Sequence, residues 1–429
     1  METSKFFIKT LGCKLNFTES SSISAFLLEN KISHCSDRNN ADIFILNTCS
    51  VTGTAEKKCI QEIRYLHKIN PNAPIIVTGC FANLDSDKLK KEKNVFVVSG
   101  RNIQHKKESI LQLIQNKSEI SNCDYNDNFS LVWSSTRTRC FLKIQDGCDN
   151  KCSYCTVHLA RGNSRSATIK EVCKSILEIS KTEVNEIVLT GLNTADFGRI
   201  NNENFIDLLL EIENLNCLNR FRISSIEPNL LTEEIILFVK NSKCFLPHFH
   251  IPLQSGCNSV LKLMGRNYLT FHFKKIIEQI KYHIPEAFIG IDIIAGMNGE
   301  TEQNFIDSYN FVKDLPISYI HAFPYSERPN TKAIGFLPIV ILKDKHERIK
   351  MYISLSDSKL KCFYENNVGK IFNVLFEDKS NDGYFNGFTE NYIKTKVYSD
   401  KNIKNKIIPI LLTDIDLADM KMKGVFTNN

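Results

Sequence analysis

Short apolar runs alternate with longer amphipathic stretches over the first third of the chain. Three runs, at residues 6–8, 43–46 and 75–77, have the length and composition of buried parallel strands. Helical periodicity fills the intervals between them, at residues 21–30 and 55–68. This strand–helix order predicts a parallel sheet with helices packed on its faces.

A cysteine follows the end of each of these three runs. The residues are Cys13, Cys49 and Cys80. Because the carboxyl ends of parallel strands meet at one edge of a sheet, we expect the three thiols to meet there as ligands of one shared group. The alternative is that cysteine is simply a common small core residue. Three more cysteines do not follow a strand and are expected to be structural: Cys35, Cys59 and Cys123.

A polar segment rich in lysine and asparagine separates this first domain from the next. It runs over residues 101–133 and contains a predicted helix at residues 108–115. Such a composition favours a connection over a packed element. We therefore predict an N-terminal domain at residues 1–118 and a linker at residues 119–133.

Strand and helix patterns alternate six times over residues 134–342. The predicted strands lie at residues 140–145, 186–189, 221–224, 249–252, 287–294 and 317–323. A full barrel of this type has eight strand–helix units, so six units predict an open, parallel (βα)6 barrel. The chain is therefore expected to be an α/β protein. Barrels of this kind keep their chemistry at the carboxyl ends of the strands.

Three closely spaced cysteines, Cys148, Cys152 and Cys155, follow the first of these strands. A structural zinc site has four protein ligands, and a four-iron cluster usually takes four cysteines. With three thiolates, one iron keeps an open position, where substrate or cofactor binds. The spacing therefore favours an iron–sulfur cluster. The alternatives are a zinc site with a distant fourth ligand, or chance proximity in a cysteine-rich chain.

The residues after the other strands are small or polar. Glycine at a strand end lets the backbone approach a ligand closely. Glu227 and Arg266 have the charges to pair with the two ends of an amino-acid zwitterion. The alternative is that these residues only form turns and that Glu227 is a solvated charge. The candidate cofactor-binding residues are Tyr154, Gly191, Asn193, Ser225, Glu227, Gln254 and Arg266.

The C-terminal part changes from helical to β character. A long helix is predicted at residues 343–366, as a connector. Short strands with Asn-Gly turns over residues 367–429 predict a small barrel of the kind that binds RNA. Its aromatic side chains either stack on bases or fill the barrel. The candidate RNA-binding residues are Tyr384 and Phe388 here, with Arg161 and Arg165 after the cysteine loop.

The bulk properties indicate a cytoplasmic location. A net charge of +6 permits a polyanionic partner without requiring one. Residues 1–5 lead into a strand-like run without a secretory signal, and no apolar run has the ~18 residues of a membrane span. The fifteen cysteines are then expected to be reduced thiols. We expect a cytoplasmic protein with no membrane partner.

Motifs along almost the whole chain resemble one family, the radical S-adenosylmethionine methylthiotransferases. The resemblance is carried by residues 10–16, 47–52 and 78–80, by the cysteine loop with residues 160–162, and by residues 224–228, 252–256 and 323–326. The C-terminal barrel resembles the family's RNA-binding TRAM domain. Asn298 stands where the family usually has proline, and Asn193 where this branch often has histidine.

The resemblance also indicates a branch of the family. Residues 12–16 read Gly-Cys-Lys-Leu-Asn, which is similar to the branch that modifies threonylcarbamoyladenosine in tRNA. The isopentenyladenosine branch usually reads Gly-Cys-Gln-Met-Asn, and the branch that modifies ribosomal protein S12 reads Gly-Cys-Pro-Lys-Asn. Both remain alternatives. A more remote alternative is a non-enzymatic zinc protein that binds RNA.

The chemistry implied by the resemblance uses two [4Fe-4S] clusters and S-adenosylmethionine. The cluster on Cys148, Cys152 and Cys155 would cleave S-adenosylmethionine to a radical that removes hydrogen from C2 of the adenine. A cluster on Cys13, Cys49 and Cys80 would donate the methylthio group. The implied partners are the tRNA anticodon loop, modified at position 37, and an external flavodoxin-like or ferredoxin-like electron donor. The enzyme is expected to be a monomer.

Overall fold

The computed structural model of the chain describes residues 4–115, 129–134, 138–217, 220–380 and 382–427. Within these ranges, no helix combines the length and the apolar character that crossing a bilayer requires. Cys123 and residues 119–128 of the predicted linker lie outside the described residues.

The N-terminal domain is built on a parallel sheet, as predicted. Its strands are β1 (Lys5–Thr10), β2 (Ser33–His34), β3 (Ile43–Thr48), β4 (Ile75–Gly79) and β5 (Val95–Val97), in the order β2-β1-β3-β4-β5. Its helices are α1 (Lys14–Glu29), α2 (Gly53–Ile69), α3 (Cys80–Leu84), α4 (Ser86–Lys90) and α5 (Ile103–Ile114). Strand β3 is buried along its whole length. Helices cover both faces of the sheet, which explains why its central strands read as continuous apolar runs.

The central domain contains the six predicted parallel strands. Its strands are β6 (Val132–Ser134), β7 (Arg139–Lys143), β8 (Gln145–Asp146), β9 (Arg165–Ser166), β10 (Glu186–Thr190), β11 (Arg220–Ile223), β12 (His248–Gln254), β13 (Phe288–Ala295) and β14 (Tyr319–Pro324). Its helices are α6 (Val157–Arg161), α7 (Ile169–Ile179), α8 (Phe205–Asn214), α9 (Glu233–Asn241), α10 (Asn258–Met264), α11 (Thr270–His283) and α12 (Glu302–Asp314).

These strands form an open barrel. Strands β7, β10 and β11 make one parallel sheet and β12, β13 and β14 another, and bridges at Phe221–Phe245 and Ser225–His250 join the two. In the part of the chain that the structure describes, β7 and β14 do not pair, so the barrel stays open. The last two residues of the predicted linker at residues 119–133 belong to β6, which pairs antiparallel with β7.

The C-terminal part consists of one long helix and a closed five-stranded barrel. The helix is α13 (Leu342–Glu365), and the strands are β15 (Ile371–Lys379), β16 (Tyr384–Phe388), β17 (Lys394–Tyr398), β18 (Ile407–Asp416) and β19 (Lys421–Phe426). They close in the order β15-β16-β17-β19-β18. The predicted fold class is therefore confirmed in all three parts.

A buried carboxylate holds the C-terminal barrel against the central domain. Glu186 is fully buried and accepts hydrogen bonds from Arg220 Nε at 2.9 Å and Arg222 Nε at 3.0 Å. The same guanidinium groups donate to backbone oxygens of the C-terminal barrel, at 3.0 Å to Phe388 and 2.7 Å to Thr389. Glu186 thus neutralises the two arginines that bind the barrel.

Replacing this carboxylate by its amide tests the role of Glu186. We expect Glu186→Gln to lower the free energy of unfolding by about 3–5 kcal/mol, because it leaves two buried cations without their anion. Glu178→Gln, on the exposed side of α7, should change it by no more than about 0.5 kcal/mol. Urea unfolding followed by circular dichroism measures both. Equal midpoints for the two variants would contradict this account of the docking.

Candidate functional site

The three-cysteine loop begins directly after β8 and is closed by backbone hydrogen bonds. The Cys148 amide donates to the carbonyl of Gly162 at 3.0 Å. Gly147 has a φ of +75°, and a side chain there would overlap the backbone of Asn163. Glycine is therefore required at this turn, and it aims the cysteines toward the barrel.

The three thiols open on one cavity of about 330 Å³, which we call the loop cavity. Five of the seven predicted cofactor-binding residues also line it: Tyr154, Ser225, Glu227, Gln254 and Arg266. Gly191 and Asn193 are not among its lining residues, although Leu192 between them is. Instead, the Asn193 amide donates to Gln145 Oε1 at 3.0 Å, which fixes the backbone behind the cavity.

Two of these residues bind each other. Arg266 forms an ion pair with Glu227 and also donates to Cys152 Sγ at 3.3 Å. Burial raises the pKa of Glu227, and Arg266 opposes that shift. Glu227 and Arg266, which were expected to hold the two ends of a zwitterion, are thus already paired with each other. Arg266 links the three-cysteine loop to the wall of the barrel.

The thiols of the loop fit a metal cluster. Burial raises the pKa of Cys148 to about 11 and that of Cys155 to about 12. A thiolate at these positions needs a strong positive partner, which a metal centre supplies. Among the described residues, no three His, Cys, Asp or Glu side chains converge to hold a metal ion. The cysteines of a four-iron cluster bind different irons, so they need a wider spacing than the ligands of one ion.

The N-terminal cysteines lie where the strand pattern predicted. Cys13 follows β1 and caps α1, Cys49 follows β3, and Cys80 begins α3 directly after β4. At Gly12, with a φ of +147°, an added Cβ would lie 3.2 Å from Cys49 Cβ. The first two loops therefore touch, and glycine permits their close approach.

The pKa values also indicate that these three thiols are neighbours. Burial raises the pKa of Cys80 to about 11; Arg161 opposes the shift, and Cys13 and Cys49 add to it. Burial likewise raises the pKa of Cys49, with a further contribution from Cys13. Like the cysteine loop, this group of thiols fits a positively charged metal cluster.

A pair of buried asparagines, missed in the sequence, fixes the N-terminal loops. Asn16 Nδ2 donates to Asn47 Oδ1 at 2.8 Å, and Asn47 Nδ2 donates to the carbonyl of Asn16 at 3.0 Å. Asn16 Oδ1 accepts from Cys13 Sγ at 3.1 Å. Both asparagines lie in the motif segments at residues 10–16 and 47–52, each within three residues of a motif cysteine, but the sequence pattern assigned them no role.

Arg161 does not occupy an RNA-binding surface. Only 5% of the residue is exposed. Its Nε donates to Cys80 Sγ at 3.2 Å, and its Nη1 lies 2.8 Å from Glu19 Oε1 and 3.1 Å from Asp146 Oδ1. The expectation of an RNA contact is therefore wrong for Arg161. Its cation contacts Cys80 of the N-terminal group and the carboxylates of Glu19 and Asp146.

Arg165 is also drawn into this contact between the domains. Its Nη1 donates to the carbonyl of Arg161 at 3.0 Å, and its Nη2 donates to the carbonyl of Arg101 at 3.3 Å. Its Nη2 is also 3.6 Å from Asp146 Oδ2. Arg165 is only partly exposed, and its guanidinium is used within the protein.

Two lysines complete a buried ion cluster, which we define as Glu19, Lys106, Lys143, Asp146 and Arg161. Lys106 Nζ and Lys143 Nζ lie 3.6 and 3.8 Å from the Glu19 carboxylate, and Lys143 Nζ lies 3.4 Å from Asp146. Burial opposes ionisation of Glu19, but Arg161, Lys106 and Lys143 lower its pKa to about 2. Glu19 is therefore an anion at neutral pH.

The two aromatic candidates of the C-terminal barrel differ in position. Tyr384 is partly exposed, and its ring meets Tyr398 edge-on at 5.8 Å. Phe388 stacks on Tyr392 at 4.8 Å, with the Arg139 guanidinium 4.5 Å from its ring centre. Phe388 thus packs at the junction with the central domain, whereas Tyr384 lies on the partly exposed surface of the C-terminal barrel.

A second cavity, of about 520 Å³, lies inside the open barrel, and we call it the lumen cavity. The sequence analysis did not identify it. It shares Asp292 and Phe323 with the loop cavity, so the two adjoin. The available signal was the alternation His248–His250 on β12 and Tyr319–His321–Phe323 on β14, because alternate residues of a strand face the same side.

Comparison with known proteins agrees with this geometry. Residues 5–100 match the uncharacterized protein family UPF0004, and residues 142–312 match the radical SAM superfamily. The chain is 34% identical to threonylcarbamoyladenosine tRNA methylthiotransferase MtaB of Bacillus subtilis, over 94% of this chain and 92% of that protein. It is 32% identical to tRNA-2-methylthio-N(6)-dimethylallyladenosine synthase of Aliarcobacter butzleri, over 97% and 98% of the two chains.

Among solved structures, the radical S-adenosylmethionine methyltransferase TsrM of Kitasatospora setae, with cobalamin and a [4Fe-4S] cluster bound, matches with a TM-score of 0.54. The identity is 11%, and the match covers 77% of each chain. This likeness shows a shared fold.

The open barrel and its three-cysteine loop define a radical S-adenosylmethionine enzyme. Within that class, the chain belongs to the methylthiotransferase family and is similar to its MtaB members. Membership of this family brings an iron–sulfur cluster and S-adenosylmethionine as cofactors.

Because of the buried ion cluster, we expect two substitutions on α1 to change the free energy of unfolding by different amounts. Glu19→Gln should lower the free energy of unfolding by about 3–5 kcal/mol, because three buried cations lose a shared anion. Glu29→Gln, exposed at the end of α1, should change it by no more than about 0.5 kcal/mol. The single tryptophan, Trp133, packs against the core of the central domain on β6, the strand that lies beside α1, and its fluorescence in urea reports unfolding there. Equal transitions in the two variants would show that the cluster does not hold the domains together.

Proposed function

We propose that this chain adds a methylthio group to C2 of N6-threonylcarbamoyladenosine at position 37 of tRNA, next to the anticodon. The main support is that the loop cavity is lined by Cys148, Cys152 and Cys155 and also by Val51 and Thr52, which follow Cys49 of the N-terminal group. Arg161, on the helix after the cysteine loop, donates to Cys80 of the same group. Relatives named for this substrate match almost the full chain at 31–34% identity.

Two four-iron clusters and S-adenosylmethionine are the proposed cofactors. When bound, the cluster on Cys148, Cys152 and Cys155 supplies the electron that cleaves S-adenosylmethionine, and the cluster on Cys13, Cys49 and Cys80 supplies the sulfur. An acid or a base alone does not remove the unactivated hydrogen at C2. Removing that hydrogen therefore requires a radical, which supports one-electron chemistry for this enzyme.

The N-terminal domain closes the loop cavity. Val51 and Thr52, which follow Cys49, form part of the cavity wall. The Gly53 amide donates to Ser326 Oγ at 2.9 Å, and Glu56 pairs with Arg328 on the same side. These contacts hold the N-terminal domain over the carboxyl ends of the barrel strands. They also bring Val51 and Thr52, which follow Cys49, to the wall of the loop cavity.

The chain's own residues hold the amino-acid end of S-adenosylmethionine in the loop cavity. Ser225, Gln254 and Tyr154 supply hydrogen-bonding groups there. The guanidinium of Arg266 is paired with Glu227 and donates to Cys152. Arg266 also lines the cavity. Gln254 has a φ of +70° at the end of β12. A strained backbone of this kind supports a ligand-binding role.

The remaining parts of the proposal concern partners and location. We propose that Tyr384 contributes to binding of the anticodon stem by stacking, that a flavodoxin-like or ferredoxin-like protein supplies the electrons, and that the enzyme acts as a cytoplasmic monomer. A second candidate substrate is dimethylallyladenosine in tRNA, because relatives named for it match 78–97% of this chain at 28–32% identity.

Two cysteine variants should separate cofactor cleavage from methylthiolation. Cys148→Ala should form neither 5′-deoxyadenosine nor methylthio nucleoside, because it removes a ligand of the cluster that cleaves S-adenosylmethionine. Cys13→Ala should still form 5′-deoxyadenosine under reducing conditions but no methylthio nucleoside. Cys173→Ala, on α7 and outside both groups, should form both. Mass spectrometry measures both products in one anaerobic reaction with tRNA that carries threonylcarbamoyladenosine.

Each outcome bears on a different part of the proposal. Methylthio product from Cys13→Ala would show that the N-terminal cysteines do not donate sulfur. Conversion by the wild-type enzyme of tRNA carrying dimethylallyladenosine, but not of tRNA carrying threonylcarbamoyladenosine, would contradict the proposed substrate and favour the second candidate.

A further inference from the structure

The lumen cavity contains two lysines that come from different domains. Lys14 is the first residue of α1 in the N-terminal domain, and Lys394 is the first residue of β17 in the C-terminal barrel. Both line the cavity. Lys394 is exposed, whereas Lys14, although exposed by surface area, has its pKa lowered by burial among its neighbours. Lys14 Nζ lies 5.7 Å from the ring centre of Phe141. The cavity therefore takes its lysines from parts of the chain that flank the open barrel.

The charges around this cavity do not balance. Asp292 is the only carboxylate among the described residues that line it. That carboxylate is already bonded to His250, with Nε2 2.9 Å from Oδ1. Within the described ranges, neither Lys14 nor Lys394 has an ion-pair partner. Two lysine charges without an anion, in a concave site, favour a ligand that carries a negative group.

The walls of the same cavity are aromatic. His248 and Tyr392 lie 4.3 Å apart, and Tyr319 and His321 lie 4.6 Å apart. His321 is nearly parallel to Phe323, with 7° between their planes. Flat side chains of this kind are suited to contact a nucleobase. The cavity thus combines a place for a flat ring with a place for an anion.

The lumen cavity is placed to hold a substrate that reacts at the neighbouring loop cavity. Phe323 and Asp292 belong to both cavities. A base held in the lumen therefore has one edge at the loop cavity, which also contains Cys148, Cys152 and Cys155. Lys14 and Lys394 line the lumen cavity but not the loop cavity, so a substituent at N6 that stays in the lumen can reach them.

We propose that Lys14 and Lys394 bind the carboxylate of the threonylcarbamoyl group, while the adenine lies against the aromatic wall. This assignment rests on the proposed function, since it requires threonylcarbamoyladenosine as the substrate. Threonine contributes a free carboxylate to this group, whereas a dimethylallyl group carries no charge. The two lysines are therefore specificity residues that select the charged nucleoside, and all three parts of the chain contribute to the pocket.

The test compares two anticodon stem-loop RNAs that differ only at position 37. One carries threonylcarbamoyladenosine and the other carries unmodified adenosine. Fluorescence anisotropy with the anaerobic holoenzyme gives the two dissociation constants. Lys14→Gln and Lys394→Gln should each weaken binding of the modified RNA by about tenfold and change binding of the unmodified RNA by less than about twofold. Lys401→Gln, an exposed lysine outside the cavity, should change neither.

The variant at Lys14 needs a check because it adjoins Cys13. Its iron content and its formation of 5′-deoxyadenosine should equal those of the wild type. Lys394 is distant in sequence from all six motif cysteines, so Lys394→Gln tests the proposal independently of the clusters. Equal selectivity in wild type, Lys14→Gln and Lys394→Gln would overturn the assignment.

The other outcomes separate this proposal from the proposed function. If both lysine variants lost affinity equally for the two RNAs, the lysines would contact the phosphate backbone, and the carboxylate assignment would be overturned while the proposed function stood. If the wild-type enzyme methylthiolated only an RNA carrying dimethylallyladenosine, the proposed substrate would be wrong, and this assignment with it.

Discussion

Burial of the Arg161 guanidinium is the constraint on which the arrangement of the site depends. A cation removed from water is tolerated only when anions and hydrogen-bond acceptors surround it. Glu19 comes from the N-terminal domain, Asp146 from the central domain, and Cys80 from the N-terminal cysteines. The two domains therefore have to meet at one place for Arg161 to be satisfied.

This single contact fixes both groups of cysteines. Asp146 directly precedes the turn into the three-cysteine loop, and Glu19 lies on α1, which begins just after Cys13. Arg161 itself ends α6, the helix that follows Cys155. A shift of one domain would break the ion cluster. It would also move the N-terminal cysteines relative to the three-cysteine loop. The buried charges thus link the stability of the interface to the relative position of the N-terminal cysteines and the three-cysteine loop.

The elements of the fold could be predicted from local patterns. The runs that became β3, β4 and β10 are buried on both faces, and a continuous apolar run is visible without knowledge of its partners. The cysteines after β1, β3 and β4 could be placed for the same reason, since topology alone brings strand ends to one edge.

The residues that were missed depend on distant partners. Arg161 and Glu19 are 142 positions apart in the chain, so no local pattern shows that their charges are paired and buried. Strand β6 has only three residues and is recognisable only by its pairing with β7. The lumen cavity depends on residues from three parts of the chain, so no local pattern shows that Lys14 and Lys394 line the same cavity. Local periodicity in the sequence predicts helices and strands. Buried ion clusters and cavities form only when distant segments of the chain pack together.

Iron analysis with Mössbauer spectroscopy on anaerobically purified protein tests the central claim most directly. If each group of three cysteines holds its own four-iron cluster, the wild-type enzyme carries about eight irons, and Cys148→Ala and Cys13→Ala each retain about four. The four irons kept by one variant should differ in their spectrum from those kept by the other. A wild type with about four irons, or a single cysteine variant that keeps or loses all of them, would contradict two separate cluster sites.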